Sequence, residues 1–466
     1  MKIRCVLLCL FVAAPAFAEQ GTAPATLELN GAFLAQMKAH PQPAIVNAVR
    51  MEADRAMKSG PYSVMDKQDV PPSGSKHDYV SMAPYWWPNP ETKSGLPFVR
   101  KDGQVNPARY KFPDDREFNE MRNAVHALAL GYYFTGNAAY ARRAVLLLRR
   151  WFLNPATRMN PNLNFAQAVP GVNTGRGTGL IEVREIPRLL DAITLLERSP
   201  AMTKTDREGL RKWFTEYLRW LETSRNGQEE AAAKNNHGSW YDQQLVGIAL
   251  FLGNRDLARQ TAETAETKRI ALQIEADGSE PLELTRTKSF SYSVFNLDAL
   301  MRLAQEADHV GVDLWTYRAP DGASIRAALD YLVPFAEKKK QWTHEAINGV
   351  DASLLTEPLL LAAIHYKDAN YLQLAEQFEK SPDLRTRLLM TEARQMLGRT
   401  GQGSGAAPGR QADLRATQPL PKVRRMAMTA CEFEPSGKVL QRSSLPTVWK
   451  HRGVLLNDGG YLAPIV

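Results

Sequence analysis

From Glu117 to Leu397 the chain repeats one pattern: an apolar-striped segment of about 10 to 20 residues, a short turn of Gly, Asn or Asp, then another such segment. The spacing predicts helices over Glu117–Thr135 and Ala138–Phe152, joined at Gly136-Asn137, and then over Leu180–Glu197, Lys204–Glu222, Trp240–Leu252, Arg255–Ile274, Ser289–Glu306, Ala323–Glu337, Ser353–His365, Ala369–Phe378 and Leu384–Leu397. Helices joined by short turns must run antiparallel, as hairpins. Many hairpins in series either stack into a solenoid or close into a ring. A solenoid repeats at a fixed period, and no such period runs through this chain. The expected fold is therefore all-α: an α/α toroid, an incomplete α/α barrel of helical hairpins with long irregular loops lining a cleft, over residues 26–398.

Two stretches break the helical pattern. Gly60–Asp115 is rich in Pro, Gly, Asp and aromatic residues, and Asn154–Gly179 in Asn, Gly and Pro. Loops of this length inside a compact domain are uncommon and usually carry function. Thr26–Ser59, ahead of them, reads as helical with a break at Pro41 and Pro43. Residues 400–466 turn to Gly, Ala, Pro, Gln and Arg and read as a linker and a poorly ordered tail.

The first 18 residues read as an export signal. Lys2 and Arg4 precede an apolar run, Val6–Ala14, and Ala16-Phe17-Ala18 fits a cleavage site before Glu19. The run is too short to span a bilayer, so a periplasmic or secreted protein without membrane insertion is expected. Cys5 and Cys9 lie in that signal and Cys431 is left alone, which rules out an internal disulfide and a thiolate zinc site in the mature chain. The eight His residues are dispersed, with no metal-ligand spacing, and neither metal nor cofactor is expected. The net charge of +8 falls to +6 without Lys2 and Arg4. Such an excess suits a polyanionic ligand; nucleic acid is disfavoured, because no basic helix or recognition motif appears.

The densest chemistry is in Lys234-Asn235-Asn236-His237-Gly238-Ser239-Trp240-Tyr241-Asp242, followed by Glu283, Arg286, Lys288, Tyr292 and Asn296. β-Elimination of a uronic acid needs these parts. The proton on C5 is weakly acidic, and the adjacent carboxylate resists further negative charge. An enzyme must neutralise that carboxylate, present a base to C5 and give a proton to the leaving O4. Asn236, His237 and Arg286 can neutralise, and Tyr292 can act as acid, base or both if a cation lowers its pKa. Each residue also has a plainer use. Asn236 can cap the following helix, with Asn235 the more natural cap. Tyr292 can be a core aromatic, and Arg286 can pair with Glu283 or Glu280. Arg286 and Tyr292 are six residues apart, about 600° around a continuous helix. A bend between them is needed to bring both to one cleft.

The run His77-Asp78-Tyr79-Val80-Ser81-Met82-Ala83-Pro84-Tyr85-Trp86-Trp87-Pro88 continues to Gly95-Leu96-Pro97 and Arg100-Lys101-Asp102-Gly103-Gln104-Val105-Asn106-Pro107. With Asn173-Thr174-Gly175-Arg176-Gly177, the Asn-Asn-His-Gly segment and Asp277-Gly278-Ser279 to Tyr292, it resembles the alginate lyase domain of bacterial polysaccharide lyases. The resemblance spans roughly residues 44–397 and is nearest to polysaccharide lyase family thirty-eight, more distantly to family five. It implies an α/α toroid and metal-independent β-elimination of a polyuronate such as alginate, poly-mannuronate or glucuronan. It also implies the catalytic set Asn236, His237, Arg286 and Tyr292, with Tyr292 protonating O4 and either His237 or Tyr292 taking the C5 proton.

An acidic polysaccharide is thus the expected partner. Tyr85, Trp86 and Trp87 offer flat faces for sugar rings, Arg100 and Arg176 offer charge for carboxylates, and Trp240 and Tyr241 complete the expected substrate contacts. Two rival readings stand beside the lyase. A glycoside hydrolase on the same toroid would need two carboxylates roughly 5 to 9.5 Å apart, with Asp78, Glu182, Asp242 and Glu283 as candidates. A non-catalytic polyuronate-binding protein would bind without cleaving.

Overall fold

A computed structural model describes residues 23–400. The export signal read over 1–18 and the tail beyond Thr400 lie outside the described residues.

Two helices, α1 (Gly31–Ala39) and α2 (Pro43–Ala56), precede the first long loop. That loop carries β1 (Val80–Met82), β2 (Trp86–Trp87) and β3 (Val99–Arg100). Helices α3 (Asp114–Thr135) and α4 (Ala138–Leu148) form the first long hairpin. Gly136 closes α3 in the left-handed conformation, and the Asn137 side chain accepts from the backbone N–H of Ala139 to start α4. A π-helical turn, Arg149–Leu153, finishes that strand of the hairpin. The second long loop holds β4 (Phe165–Ala168).

The remaining helices are α5 (Ile186–Leu196), α6 (Lys204–Thr223), α7 (Arg225–Ala231), α8 (Asn236–Leu252), α9 (Arg255–Ala265), α10 (Ala271–Gln273), α11 (Pro281–Leu284), α12 (Ser289–Asp308), α13 (Ile325–Ala336), α14 (Thr356–Tyr366), α15 (Ala369–Phe378) and α16 (Leu384–Thr400). The long helices stand close to where the apolar spacing put them. The stretch expected as one helix from Leu180 is instead a 3-10 turn over Gly177–Val183, then α5. Pro187 in the first turn of α5 explains the break, since proline starts a helix but cannot continue one from upstream. Helix α8 begins four residues earlier than its apolar pattern, because its first turn is polar.

The helices make an all-α toroid. Helix α3 packs on α5, α5 on α8, α8 on α12, α12 on α14 and α14 on α16; contact of α16 with α2 brings the ring round. Helices α4, α6, α9, α13 and α15 lie against this inner set. Two apolar clusters fill the wall, one around α2–α6 and one around α9 and α12–α16. Helix α8 serves both: Leu245 and Ile248 belong to the first, Val246 and Ala249 to the second. A helix buried on nearly every side is what an inner-ring position demands.

The centre of the ring is charged rather than apolar. Glu28, upstream of α1, is buried against Arg302 at 3.0 Å and Arg385 at 3.1 Å. The Asp191 carboxylate accepts the backbone N–H groups of Glu28 at 3.1 Å and Leu29 at 3.0 Å. Buried charges persist only when paired in this way. The N-terminal segment so plugs the ring and forms a floor. No helix among the described residues is long and apolar enough to cross a membrane.

Candidate active site

Above that floor opens a cavity of about 680 Å³, walled by both long loops, the start of α8, the turn before α12, and α12 and α14 themselves. Its walls carry five basic side chains, Arg100, Arg176, Arg184, Arg286 and Lys288, against two acidic ones, Asp298 and Glu357. Both carboxylates are already held: Arg302 bonds Asp298 and Glu357 at 3.0 Å each, and Arg385 reaches Glu357 at 2.6 Å. The cavity therefore presents a net positive field to whatever enters it.

Helix α8 brings Asn236 and His237 to the cavity. Asn235 occupies the cap position, but its side chain makes no capping bond. Glu283 of α11 replaces it: its carboxylate accepts the Asn236 backbone N–H at 2.7 Å and the Asn236 side-chain nitrogen at 2.8 Å from each oxygen. Two oxygens of one carboxylate subtend roughly 45° at such a nitrogen, whereas amide hydrogens diverge by about 120°. One hydrogen then serves both oxygens and the other has no protein partner among the described residues; the amide oxygen of this buried side chain has none either. His237 bonds the buried Glu230 carboxylate through Nδ1 at 2.6 Å. With the proton on Nδ1, the lone pair lies on Nε2. Gly238 must be glycine here, because a Cβ would stand 2.3 Å from the Arg269 guanidinium. Arg269 is fixed by Asp242 and by the carbonyls of Ala231 and Ala233, and so fastens the α7–α8 junction beneath the site.

The bend expected between Arg286 and Tyr292 is the link from α11 to α12. Arg286 is neither with Glu283 nor with Glu280. It bonds Asp102 of the first long loop through Nε at 3.1 Å and Nη2 at 2.8 Å, and lies 3.7 Å above the Tyr292 ring centroid. Nη1 remains for a ligand. The positive charge holds the Asp102 carboxyl well below the usual carboxylate range against the effect of burial. The Tyr292 hydroxyl donates to that of Tyr85 at 3.0 Å. Burial pushes the Tyr292 phenol up and Arg286 pulls it down; burial prevails, so the group rests protonated. The cation that could lower this pKa is in place, but desolvation outweighs it.

Of the expected substrate contacts, Tyr85, Trp86, Arg100 and Arg176 line the cavity. Trp87 does not; its indole N–H bonds the Gln104 carbonyl at 2.9 Å and its ring lies under Lys101. Trp240 and Tyr241 are corrected outright. Trp240 is 1% exposed against Phe295, and the buried Tyr241 hydroxyl bonds the Leu221 carbonyl. Both follow His237 on an inner helix, where all but the first turn faces protein. The hydrolase candidates also lie outside the cavity, each engaged: Asp78 by Ser73 and Asn160, Glu182 by Tyr79 and Ser81, Asp242 by Arg269, Glu283 by Asn236. Sequence reasoning missed Glu230, Asp102 and Arg184. Only Glu230 left a signal, an acid one helical turn-and-loop ahead of His237.

Comparison with known proteins agrees with this geometry. The family model described as alginate lyase matches residues 63–342. The crystal structure of an alginate lyase from Bacteroides ovatus is 39% identical, with a TM-score of 0.75, over 79% of this chain and 99% of that one. A variant of alginate lyase A1-III complexed with a tetrasaccharide shares the fold at 19% identity and a TM-score of 0.51, over 74% of this chain and 93% of that one. No curated protein matches the chain. A toroid with an Asn-His pair, an Arg-stacked tyrosine and a basic cavity, matched by that family model over most of its described length, belongs to the alginate lyase family and is a polysaccharide lyase.

Proposed function

We propose that the protein cleaves an alginate-type polyuronate by β-elimination in this cavity, leaving an unsaturated sugar at the new non-reducing end. The second amide hydrogen of Asn236 and Nη1 of Arg286 meet the carboxylate of the sugar being cut and hold the charge that develops as C5 loses its proton. Tyr292, protonated at rest, gives its proton to O4. The base follows the stereochemistry of the uronate. Where the C5 hydrogen lies on the face opposite O4, Nε2 of His237 takes it and the Tyr292 phenol protonates O4; where it lies on the same face, Tyr292 first gives up its resting proton to solvent, Arg286 steadies the phenolate, and the phenolate takes the C5 proton and passes it to O4.

The observation that carries this reading is the joint placement of His237 and Tyr292 on one basic cavity, His237 bonded to Glu230 through Nδ1 with Nε2 left over, and the Tyr292 hydroxyl bonded to the hydroxyl of Tyr85 alone among the described residues. The titrating experiment is a lyase assay on a panel of polyuronates, poly-mannuronate, poly-guluronate and glucuronan included. Cleavage creates a C4=C5 double bond conjugated with the carboxylate and so raises ultraviolet absorbance. Tyr292→Phe should abolish that rise while the protein keeps its melting temperature; an active Tyr292→Phe would remove the mechanism. Export to the periplasm or beyond belongs to the same proposal. It rests on Lys2, Arg4 and the Ala16-Phe17-Ala18 site, and N-terminal sequencing of the mature protein tests it.

A further inference from the structure

Gln167 has the left-handed backbone conformation, φ 50°, in the middle of β4. Non-glycine residues adopt it rarely and at a cost, and such strain gathers where side chains must be aimed. The cause is a bulge. Val80 pairs with Phe165 and Met82 with Ala168, so β4 fits one more residue than β1 into the same interval. Ser81 secures the bulge by accepting the Gln167 backbone N–H at 2.7 Å while donating to Glu182 at 2.6 Å. The result is a buried Gln167 whose side chain lines the cavity.

Its carbonyl oxygen is already engaged, by Arg176 Nη2 at 2.8 Å. The Nε2 hydrogens have no protein partner among the described residues. Arg176 is itself unusual. It forms no ion pair among the described residues, its Nε is buried without a partner, and it stands over Trp86 at 5.8 Å. Burial and the neighbouring Arg100 work against its charge, and outweigh the more distant Glu230 and Glu182 carboxylates, which favour it without bonding to it. Gly175 and Gly179 let its loop run this close to β4, since a Cβ would meet the Asn164 carbonyl oxygen at 2.0 Å and the Ala166 side chain at 2.5 Å. A half-buried cation with no carboxylate bonded to it, bridged to an amide with free donors, is a fork built for an anion.

We propose that Gln167 and Arg176 form a second carboxylate subsite, which holds a uronate adjacent to the one being cut. This rests on the lyase reading above. Asn236 and Arg286 serve the first carboxylate, and neither touches the fork. Every sugar of a polyuronate carries a carboxylate, so a chain lying through the cavity brings a second one to it.

The test is steady-state kinetics on a polyuronate, with thermal melting, for Gln167→Gly and Gln167→Glu. Glycine suits the left-handed position but removes the donor. The expected result is a KM raised about tenfold, a kcat within about threefold, and a melting temperature equal or higher. Glutamate keeps the length, pairs with Arg176 and repels the polymer; its KM should rise further. An unchanged KM in both variants would overturn the subsite. So would a Gln167→Gly protein that melts lower or does not fold, because the strain would then serve stability. If the wild type cleaves no polyuronate, the lyase reading fails instead. Calorimetric titration with the same polymer then still decides the fork, by whether Gln167→Gly weakens binding.

Discussion

The guanidinium of Arg286 lies over the ring of Tyr292, 3.7 Å from its centroid, and is held there by two bonds to Asp102. The cation thus acts on the phenol through its ring face, and its position is set by a carboxylate from a loop 184 residues away in sequence. Arg286→Lys separates charge from shape. Lysine keeps the charge but cannot make the paired bonds or the planar stack. A cation–π contact of this kind contributes about 1–2 kcal/mol, so kcat should fall roughly 5- to 30-fold. Asp102→Asn should produce a similar loss, although Asp102 touches no substrate. Equal kcat in the wild type and both variants would show the stack to be idle.

Glu283 should behave as a positioning residue. It fixes both the backbone and the side chain of Asn236, so Glu283→Gln places a donor against a donor. Loss of one oriented transition-state donor costs about 100-fold in kcat, and the lost cap should also lower stability by about 1 kcal/mol. Steady-state kinetics and chemical denaturation of the same variant check both numbers. A variant that loses stability but keeps kcat would reduce Glu283 to a helix cap.

The sequence and the structure part at identifiable places. Apolar spacing located the long helices because an inner or outer position in a ring still leaves one face to read. It failed at α7, whose seven residues are too few to show a stripe, and at the first turn of α8, where every side chain is polar. Asn236, His237, Arg286 and Tyr292 were legible as chemistry, because their types are improbable together without a shared task. Trp240 and Tyr241 were misread because adjacency in sequence was taken for adjacency at the cleft, whereas the helix turns them inward. Asp102 and Glu182 were illegible in their actual roles. Their partners lie more than a hundred residues away, and nothing local marks such a pairing.

Stability should decline as pH rises from about 6.5 to 8. Burial, with Asp115 nearby, pushes the Glu182 carboxyl up to about 8. A carboxyl whose pKa is raised on folding binds its proton more tightly in the folded state. The stability it contributes is full below its unfolded value, near 4.5, and is lost as pH climbs through the folded one. Burial likewise raises Glu117 and Asp191, both to about 7, so these carboxyls act in the same direction. Melting temperatures measured at pH 6.5 and pH 8 should fall in that order, and Glu182→Gln should shrink the difference. Because Ser81 links Glu182 to the bulge at Gln167, the same variant should raise KM at pH 6.5. An unaltered pH slope in Glu182→Gln would show that this carboxyl does not titrate there.

Nδ1 of His237 is committed to Glu230, a side chain only 2% exposed, at 2.6 Å, so the imidazole can work on substrate only through Nε2. Mannuronate and guluronate differ at C5 and offer that hydrogen on opposite faces relative to O4. In the same-face epimer Tyr292 is both base and acid; in the opposite-face epimer the two tasks divide between His237 and Tyr292. His237→Gln keeps a donor near the carboxylate but supplies no base. General-base catalysis contributes about 100- to 10,000-fold. The variant should therefore lose at least about 100-fold in kcat on the polymer whose C5 hydrogen faces His237 and far less on its epimer. Glu230→Gln should show the same bias more weakly, since it leaves the imidazole in place but removes the group that orients it. Equal losses on both epimers would assign His237 to carboxylate binding alone and leave Tyr292 as the sole proton-transfer group.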